Sequence, residues 1–260
     1  MKRLGLALSS GGPRGVAHIG VLQALSEYDI PIHAIAGASV GAQVGGLYAA
    51  GVPLSEILRL WRDMGFTRMA KGLLPTFPWR GWSSGEEVRR TLYPLVGERR
   101  IEELPLKFAA VATDLQTGEP VVITRGPLVD AIRASVSVPG LFVPAQWDDR
   151  LLLDGGVVDP LPVETVRVLG AEVVLAVDVL VPPREKNLIR PNVFSVLFQM
   201  ATIFQKRVAE LEAQVYPPEI LISPDFGNHA PTYSDVGSGV EAGYQAASAV
   251  IPDLKALLED

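Results

Sequence analysis

The stretch that most constrains this chain is Gly37-Ala38-Ser39-Val40-Gly41, set between the β-like apolar run Ile30 to Ala36 and a helix of small residues. A serine flanked by glycines at a strand-to-helix turn sits on a sharp, strained bend that lifts its hydroxyl clear of the backbone. Glycine suits both flanks because a Cβ there would meet the neighbouring strand and helix. Two readings are open at this point: a nucleophile elbow, or a plain glycine turn that packs a helix on a sheet.

Composition narrows the class. At 260 residues, 48% hydrophobic and 20% charged, with no interrupting linker, the chain is expected to form a single domain over 1–260 with a large core. A net charge of -6 argues against a nucleic-acid partner. With no cysteine there is no thiol nucleophile, disulfide framework or cysteine metal site, and no motif calls for a metal or a cofactor. Two segments imitate export or membrane signals. Met1 to Leu8 carries an apolar run shorter than a signal-peptide core and reads as a first buried strand. Ala34 to Leu54 is uncharged, but Gly and Ala dominate it and Ser39 and Gln43 lie inside, so a strand, a turn and a buried helix fit better than a membrane span. The expected location is cytoplasmic.

Strand-like runs lie at Arg3 to Leu8, Ile32 to Ala36, Phe108 to Thr113, Val121 to Thr124, Arg150 to Leu153, Val173 to Val177 and Ile220 to Ile222. Helical patterns lie at Val16 to Tyr28, Val40 to Ala50, Leu54 to Met64, Gly85 to Leu95, Pro127 to Ala134, Pro162 to Leu169, Asn192 to Glu212 and Val240 to Leu258. This alternation predicts an α/β fold with a largely parallel central sheet. Sites in such sheets lie beyond the carboxyl ends of the strands. Ser39 and the glycine loop Gly11 to Gly15 both follow strands, so they are expected to share one edge.

That loop, Ser9-Ser10-Gly11-Gly12-Pro13-Arg14-Gly15, runs into a helix at Val16. Its glycines free backbone N–H groups to face an anion, and the helix start adds its dipole. In acyl transfer that anion is the oxygen of a tetrahedral intermediate. A nucleotide-phosphate loop is disfavoured, because neither a Gly-Lys-Ser/Thr ending nor Gly-x-Gly-x-x-Gly spacing is present. A tight structural turn is the alternative, and Arg14 either stabilises negative charge or caps the loop. For a base, His229 in a polar downstream loop is the candidate for a Ser-His-Asp triad; His33 lies at a strand start, and His18 lies one turn into the helix after the loop. Asp154, ending the apolar run Leu151-Leu152-Leu153 before Gly155-Gly156, is the competitor. Burial raises a carboxylate's pKa toward that of a usable base. An Asp-Gly turn is its bland alternative.

Taken in order, Gly11-Gly12-Pro13-Arg14-Gly15, Gly37-Ala38-Ser39-Val40-Gly41 and Asp154-Gly155-Gly156 resemble the three signatures of the patatin-like phospholipases. Ala134-Ser135-Val136-Ser137-Val138-Pro139-Gly140 is similar to the family's segment between elbow and aspartate, and Thr113 to Glu119 to the strand-turn before it. The likeness covers most of residues 3 to 180 and is closest to compact bacterial members.

The resemblance implies a three-layer α/β sandwich and a Ser-Asp dyad instead of a triad, with Ser39 as nucleophile and Asp154 as base. It implies an oxyanion site from Gly11, Gly12, Gly15 and Val40, with Arg14 beside it, and no calcium site. The implied substrate is a lipid or other acyl ester, with a free fatty acid as product; His229 is left without a role. A non-catalytic lipid- or partner-binding protein on the same fold is the alternative. Met64 to Trp82 mixes aromatics with Arg68, Lys71 and Arg80, a pattern that fits peripheral membrane contact, a lid, or a core cover. In Asn192 to Glu212, Val193, Leu197, Met200, Ala201, Phe204, Val208 and Leu211 form one apolar stripe. A core-facing helix is expected there, with an acyl-channel wall or a partner surface as alternatives.

Overall fold

Leucine alternates with glycine and alanine along the first strand, β1 (Leu4–Leu8), and this alternation assigns the two faces of the sheet. Leu4, Leu6 and Leu8 enter one core, while Ala7 enters a second on the opposite face. The second face is built from small residues, Ala7, Ala34, Ala36, Ala109 and Ala176, which lets its helix approach closely. A Cβ on Gly5 would stand 2.4 Å from the Ala171 Cβ. The structure, a computed structural model, describes residues 1–63, 83–180, 193–227, 231–233 and 235–259.

The further strands are β2 (Ile32–Ala38), β3 (Lys107–Asp114), β4 (Pro120–Ile123), β5 (Ala145–Trp147), β6 (Arg150–Asp154), β7 (Val173–Val177) and β8 (Ile220–Ile222). They form one sheet in the order β5-β6-β3-β2-β1-β7-β8, with β4 also paired to β3. The five strands from β3 to β8 in that order are parallel; β4 and β6 run antiparallel to β3, and β5 antiparallel to β6. The helices are α1 (Val16–Glu27), α2 (Val40–Ala49), α3 (Leu54–Asp63), α4 (Glu86–Val96), α5 (Leu128–Ser135), α6 (Val163–Val168), α7 (Val193–Val215) and α8 (Val236–Glu259). Side chains of α1 to α5 and α8 fill the leucine-side core; α6 and Ala209 of α7 pack on the alanine side. The result is a three-layer α/β sandwich: the alternation of elements predicts its largely parallel sheet, and the family resemblance implies its three layers.

Register brings the site together. Leu8 pairs with Gly37, so the loop after β1 and the turn after β2 leave the same sheet edge. Ala38 pairs with Val111, and Ala112 with Asp154, so the end of β6 lies one strand beyond β3 from Ser39. The segment Ala34 to Leu54 is strand, turn and buried helix, and among the described residues no helix is long and apolar enough to cross a membrane.

One expectation is corrected. The apolar stripe of α7 does not face the core: Leu197, Met200, Phe204 and Leu211 are exposed. The inward side carries Thr202, Lys206 and Ala209 instead, because the surface under the helix offers polar partners. Lys206 reaches Asp178 at 2.5 Å, and Gln205 meets the Ser10 hydroxyl at 3.3 Å. The segment 64–82, read as lid, membrane contact or core cover, lies outside the described residues, as does His229.

Candidate active site

Ser39 occupies φ 53°, ψ -119°, a region that few non-glycine residues adopt. Such a conformation costs on the order of 1–3 kcal/mol and persists only when its surroundings dictate it. The flanking glycines are part of that constraint. A Cβ on Gly37 would stand 2.4 Å from the Ala42 nitrogen, and one on Gly41 2.1 Å from the Leu8 carbonyl oxygen. The Ser39 carbonyl accepts the Gln43 N–H at 3.0 Å, the opening hydrogen bond of α2. The Ser39 N–H donates to the Ser135 Oγ at 2.9 Å.

The Ser39 hydroxyl donates to Asp154 Oδ2 at 2.6 Å, and Asp154 Oδ1 accepts the Gly156 N–H at 2.8 Å. The backbone of Asp154 is held as well: its N–H donates to the Ser137 carbonyl at 2.9 Å, and its carbonyl accepts the Thr113 hydroxyl at 2.8 Å. Burial pushes the carboxyl pKa up from 3.8 to about 6, although the hydrogen bonds from Ser39 and Gly156 pull it the other way. A carboxylate so placed is ionised at neutral pH yet basic enough to take a proton from a bound hydroxyl. Gly155 and Gly156 permit this approach. A Cβ on Gly155 would stand 2.1 Å from the Val111 carbonyl oxygen, and one on Gly156 2.8 Å from Ser10 Oγ.

The glycine loop tightens into a 3₁₀ turn, Gly12–Gly15, with Gly12 at φ 58°. Arg14 Nε donates to the Gly11 carbonyl at 3.0 Å. In a trans peptide the N–H points opposite to the C=O. Arg14 therefore turns the Gly12 N–H away from itself, and Gly12 lines the same cavity as Ser39 and Val40. Burial lowers the Arg14 pKa while the Asp178 charge raises it. Gly15 has a packing role: a Cβ there would stand 2.4 Å from a Val40 methyl. His18 is buried, with Nε2 at 2.9 Å from the Ser9 carbonyl oxygen, and burial pushes its pKa down to about 4. It braces the loop as a neutral ring. His33 stands near the start of β2, about 20 Å along the strand from Ser39.

A cavity of about 470 Å³ opens above Ser39 between α3, α4 and the segment 136–142. Leu60, Val88, Leu92, Leu95, Leu141 and Phe142 make its wall apolar, and Glu56, Arg59, Glu87 and Arg90 also line it. An apolar chain with a polar end fits such a space. The side chains around the Ser39–Asp154 pair that residue-by-residue reading missed are Ser135, Ser137, Arg133 and Thr113. Arg133 donates to the Ser137 hydroxyl and to the carbonyls of Ser84 and Val143. Only the family-like blocks signalled Ser135 and Ser137 (Ala134 to Gly140) and Thr113 (Thr113 to Glu119), and nothing in the sequence signalled Arg133.

Comparison with known proteins identifies the family and the fold. A family profile of patatin-like phospholipases matches residues 6–167. An NTE family protein of Mycobacterium tuberculosis, described as uncharacterized, is 44% identical over 175 residues, covering 67% of this chain and 48% of the relative. Lysophospholipase NTE1 of Saccharomyces cerevisiae is 37% identical over 181 residues, covering 68% of this chain and 11% of the relative. The chain thus spans about half the length, or much less, of these curated relatives. Among solved structures, VipD from Legionella pneumophila has a TM-score of 0.57 at 15% identity, covering 97% of this chain and 67% of that one. The type III effector ExoU has a TM-score of 0.53 at 16% identity, covering 97% and 53%. Both share the fold.

Proposed function

This chain belongs to the patatin-like phospholipase family, and from that premise we propose that it hydrolyses fatty acyl esters of phospholipids or lysophospholipids through a Ser39–Asp154 dyad. The observation that carries the reading is the 2.6 Å hydrogen bond from Ser39 Oγ to Asp154 Oδ2 beside an apolar cavity. Asp154 takes the Ser39 proton as Oγ attacks the acyl carbonyl, giving a tetrahedral intermediate whose oxygen carries the negative charge. The N–H groups of Gly11, Gly12 and Val40 receive that oxygen, with Val40 at the start of α2, where backbone N–H groups lack helical partners. Arg14 serves the same end through the Gly11 carbonyl it holds, and Gly15 by letting the loop pack on Val40. Collapse breaks the ester C–O bond, and the departing alcohol takes the proton from Asp154. Water then attacks the acyl-serine, again giving a proton to Asp154, which returns to Ser39 as the fatty acid leaves.

The apolar wall of the cavity supports a fatty acyl chain, and relatives described as lysophospholipases support a single-chain phospholipid. The test is hydrolysis of an acyl-ester series, from short to long chains and then phospholipid vesicles, by wild type, Ser39→Ala and Asp154→Asn. Activity that rises with chain length and is lost in both variants supports the reading. Full activity in Asp154→Asn would overturn the dyad, and activity on short esters alone would remove the lipid substrate.

A further inference from the structure

We propose that the outer face of α7 docks the protein onto a lipid bilayer beside the mouth of the Ser39 cavity, an inference that rests on the acyl-hydrolase reading above. The helix is built inside out. Its inward side is polar and fastened: Thr202 is buried, Gln205 meets Ser10, and Lys206 pairs with Asp178. Rolling the helix to bury its apolar side would break the Lys206–Asp178 pair and leave Asp178, only 5% exposed, without its cation. The outward side carries Val196, Leu197, Met200, Ile203 and Phe204, with Phe198 exposed at its edge beside Gly12; each of the six is between 41% and 61% exposed.

Two observations favour lipid as the occupant. The first is area. Six half-exposed side chains present several hundred Å², enough to mark an interaction surface but short of the ~800 Å² per partner of a stable protein–protein interface. The second is position. Phe198 Cζ lies 4.0 Å from the place a Cβ on Gly12 would take, and Gly12 lines the cavity with Ser39. A helix seated at the boundary of headgroups and acyl chains would hold the cavity where an acyl ester is found. No charge occurs from Val193 to Gln205, and the first exposed cation that follows is Arg207, placed as on an interfacial helix that meets phosphate headgroups.

The test measures binding apart from turnover. In a Ser39→Ala background, the protein is expected to sediment with dioleoylphosphatidylcholine vesicles, and Leu197→Gln/Met200→Gln/Phe204→Gln to lower the bound fraction at least tenfold. The same triple change in the active background should leave hydrolysis of a soluble short-chain ester unchanged. Because the chain has no cysteine, Phe204→Cys can carry a single environment-sensitive label, whose emission should shift to the blue only when vesicles are added. Vesicle binding without hydrolysis by the wild type would sink the proposed activity and leave the docking face standing. Unaltered binding by the triple variant, or no binding by its parent, would overturn the docking face. A label already blue-shifted in buffer would overturn it too. A dimeric mass that the triple change reduces to monomer would then assign the face to a second copy, and a monomeric mass would assign it to another segment of the chain.

Discussion

The Ser135 hydroxyl accepts the Ser39 N–H at 2.9 Å and donates to the Val111 carbonyl at 2.6 Å, tying the strained turn to β3. Two residues on, the Ser137 carbonyl accepts the Asp154 N–H. One short stretch of chain at the end of α5 thus grips the backbones of both members of the pair. Ser135→Ala would leave a buried N–H and a buried carbonyl without this partner, a loss of about 1–3 kcal/mol. With Ser39 free to shift, kcat is expected to fall about 10–100-fold with little change in KM. Steady-state kinetics on a soluble ester and a denaturant melt check both; an unchanged kcat would show that the elbow holds itself.

The proposed role of Asp154 as base predicts a pH dependence. Its carboxyl titrates at about 6 in the folded protein against 3.8 for the free side chain, chiefly because burial penalises the charge. As the base must be ionised, kcat/KM should rise through pH 6 and level off above about pH 7. The stability effect has the opposite sense. Between pH 3.8 and about 6 the folded state holds more protons than the unfolded one, so stability falls as pH rises through that window. Above it the full cost remains, on the order of 3 kcal/mol. Asp154→Asn should therefore be inactive yet melt several degrees higher than wild type at pH 8, with a smaller advantage at pH 5. Thermal melts at the two pH values measure this, and a lower melting temperature for the variant at pH 8 would contradict it.

Two glycines test how far sterics define the site. Gly41→Ala places a methyl 2.1 Å from the Leu8 carbonyl oxygen, a backbone atom of the central strand that has nowhere to move. It is expected to cost more than about 3 kcal/mol or to prevent folding. Gly237, exposed near the start of α8, has nothing within 4 Å of an added Cβ and no positive φ. Gly237→Ala should stabilise by about 0.5–1 kcal/mol without touching activity. Equal effects of the two changes would mean that the elbow's glycines are not sterically required.

Much of this was legible in the sequence, for local reasons. β1, β2 and β7 are apolar runs that end at Gly, Ser or Asp, and the glycines around Ser39 and after Asp154 mark approaches too close for a Cβ. What escaped is non-local. β5 spans only Ala145–Trp147, too short for a periodic signal. That β6 runs antiparallel to β3 depends on the path of the chain between them. The stripe on α7 was visible as a stripe, but periodicity carries no information about which side meets the core. That side is decided by Asp178 and Ser10, far away in the sequence. Ser135 and Ser137 were visible only through family likeness, since a serine's role in bracing another backbone leaves no local pattern.

On the proposed function, the cavity wall should decide how long an acyl chain is accepted. Val88 on α4 lines the space above Ser39 together with Leu92 and Leu95, and it is only partly buried, so a larger side chain there can project into the cavity without displacing the core. Val88→Trp would occupy part of the 470 Å³ that an acyl chain would fill. Val88 makes none of the hydrogen bonds that hold Ser39, Asp154 or the glycine loop, so the chemistry itself should persist. Hydrolysis of short-chain esters is therefore expected to stay within about twofold of wild type, and kcat/KM for long-chain esters to fall at least about tenfold, mostly through KM, because binding along the chain is lost in ground and transition states alike. Measuring kcat/KM across the chain-length series for both proteins decides it. A uniform fall at every length would mean that the substitution disturbed the reacting groups, and no change at any length would place the acyl chain along another wall.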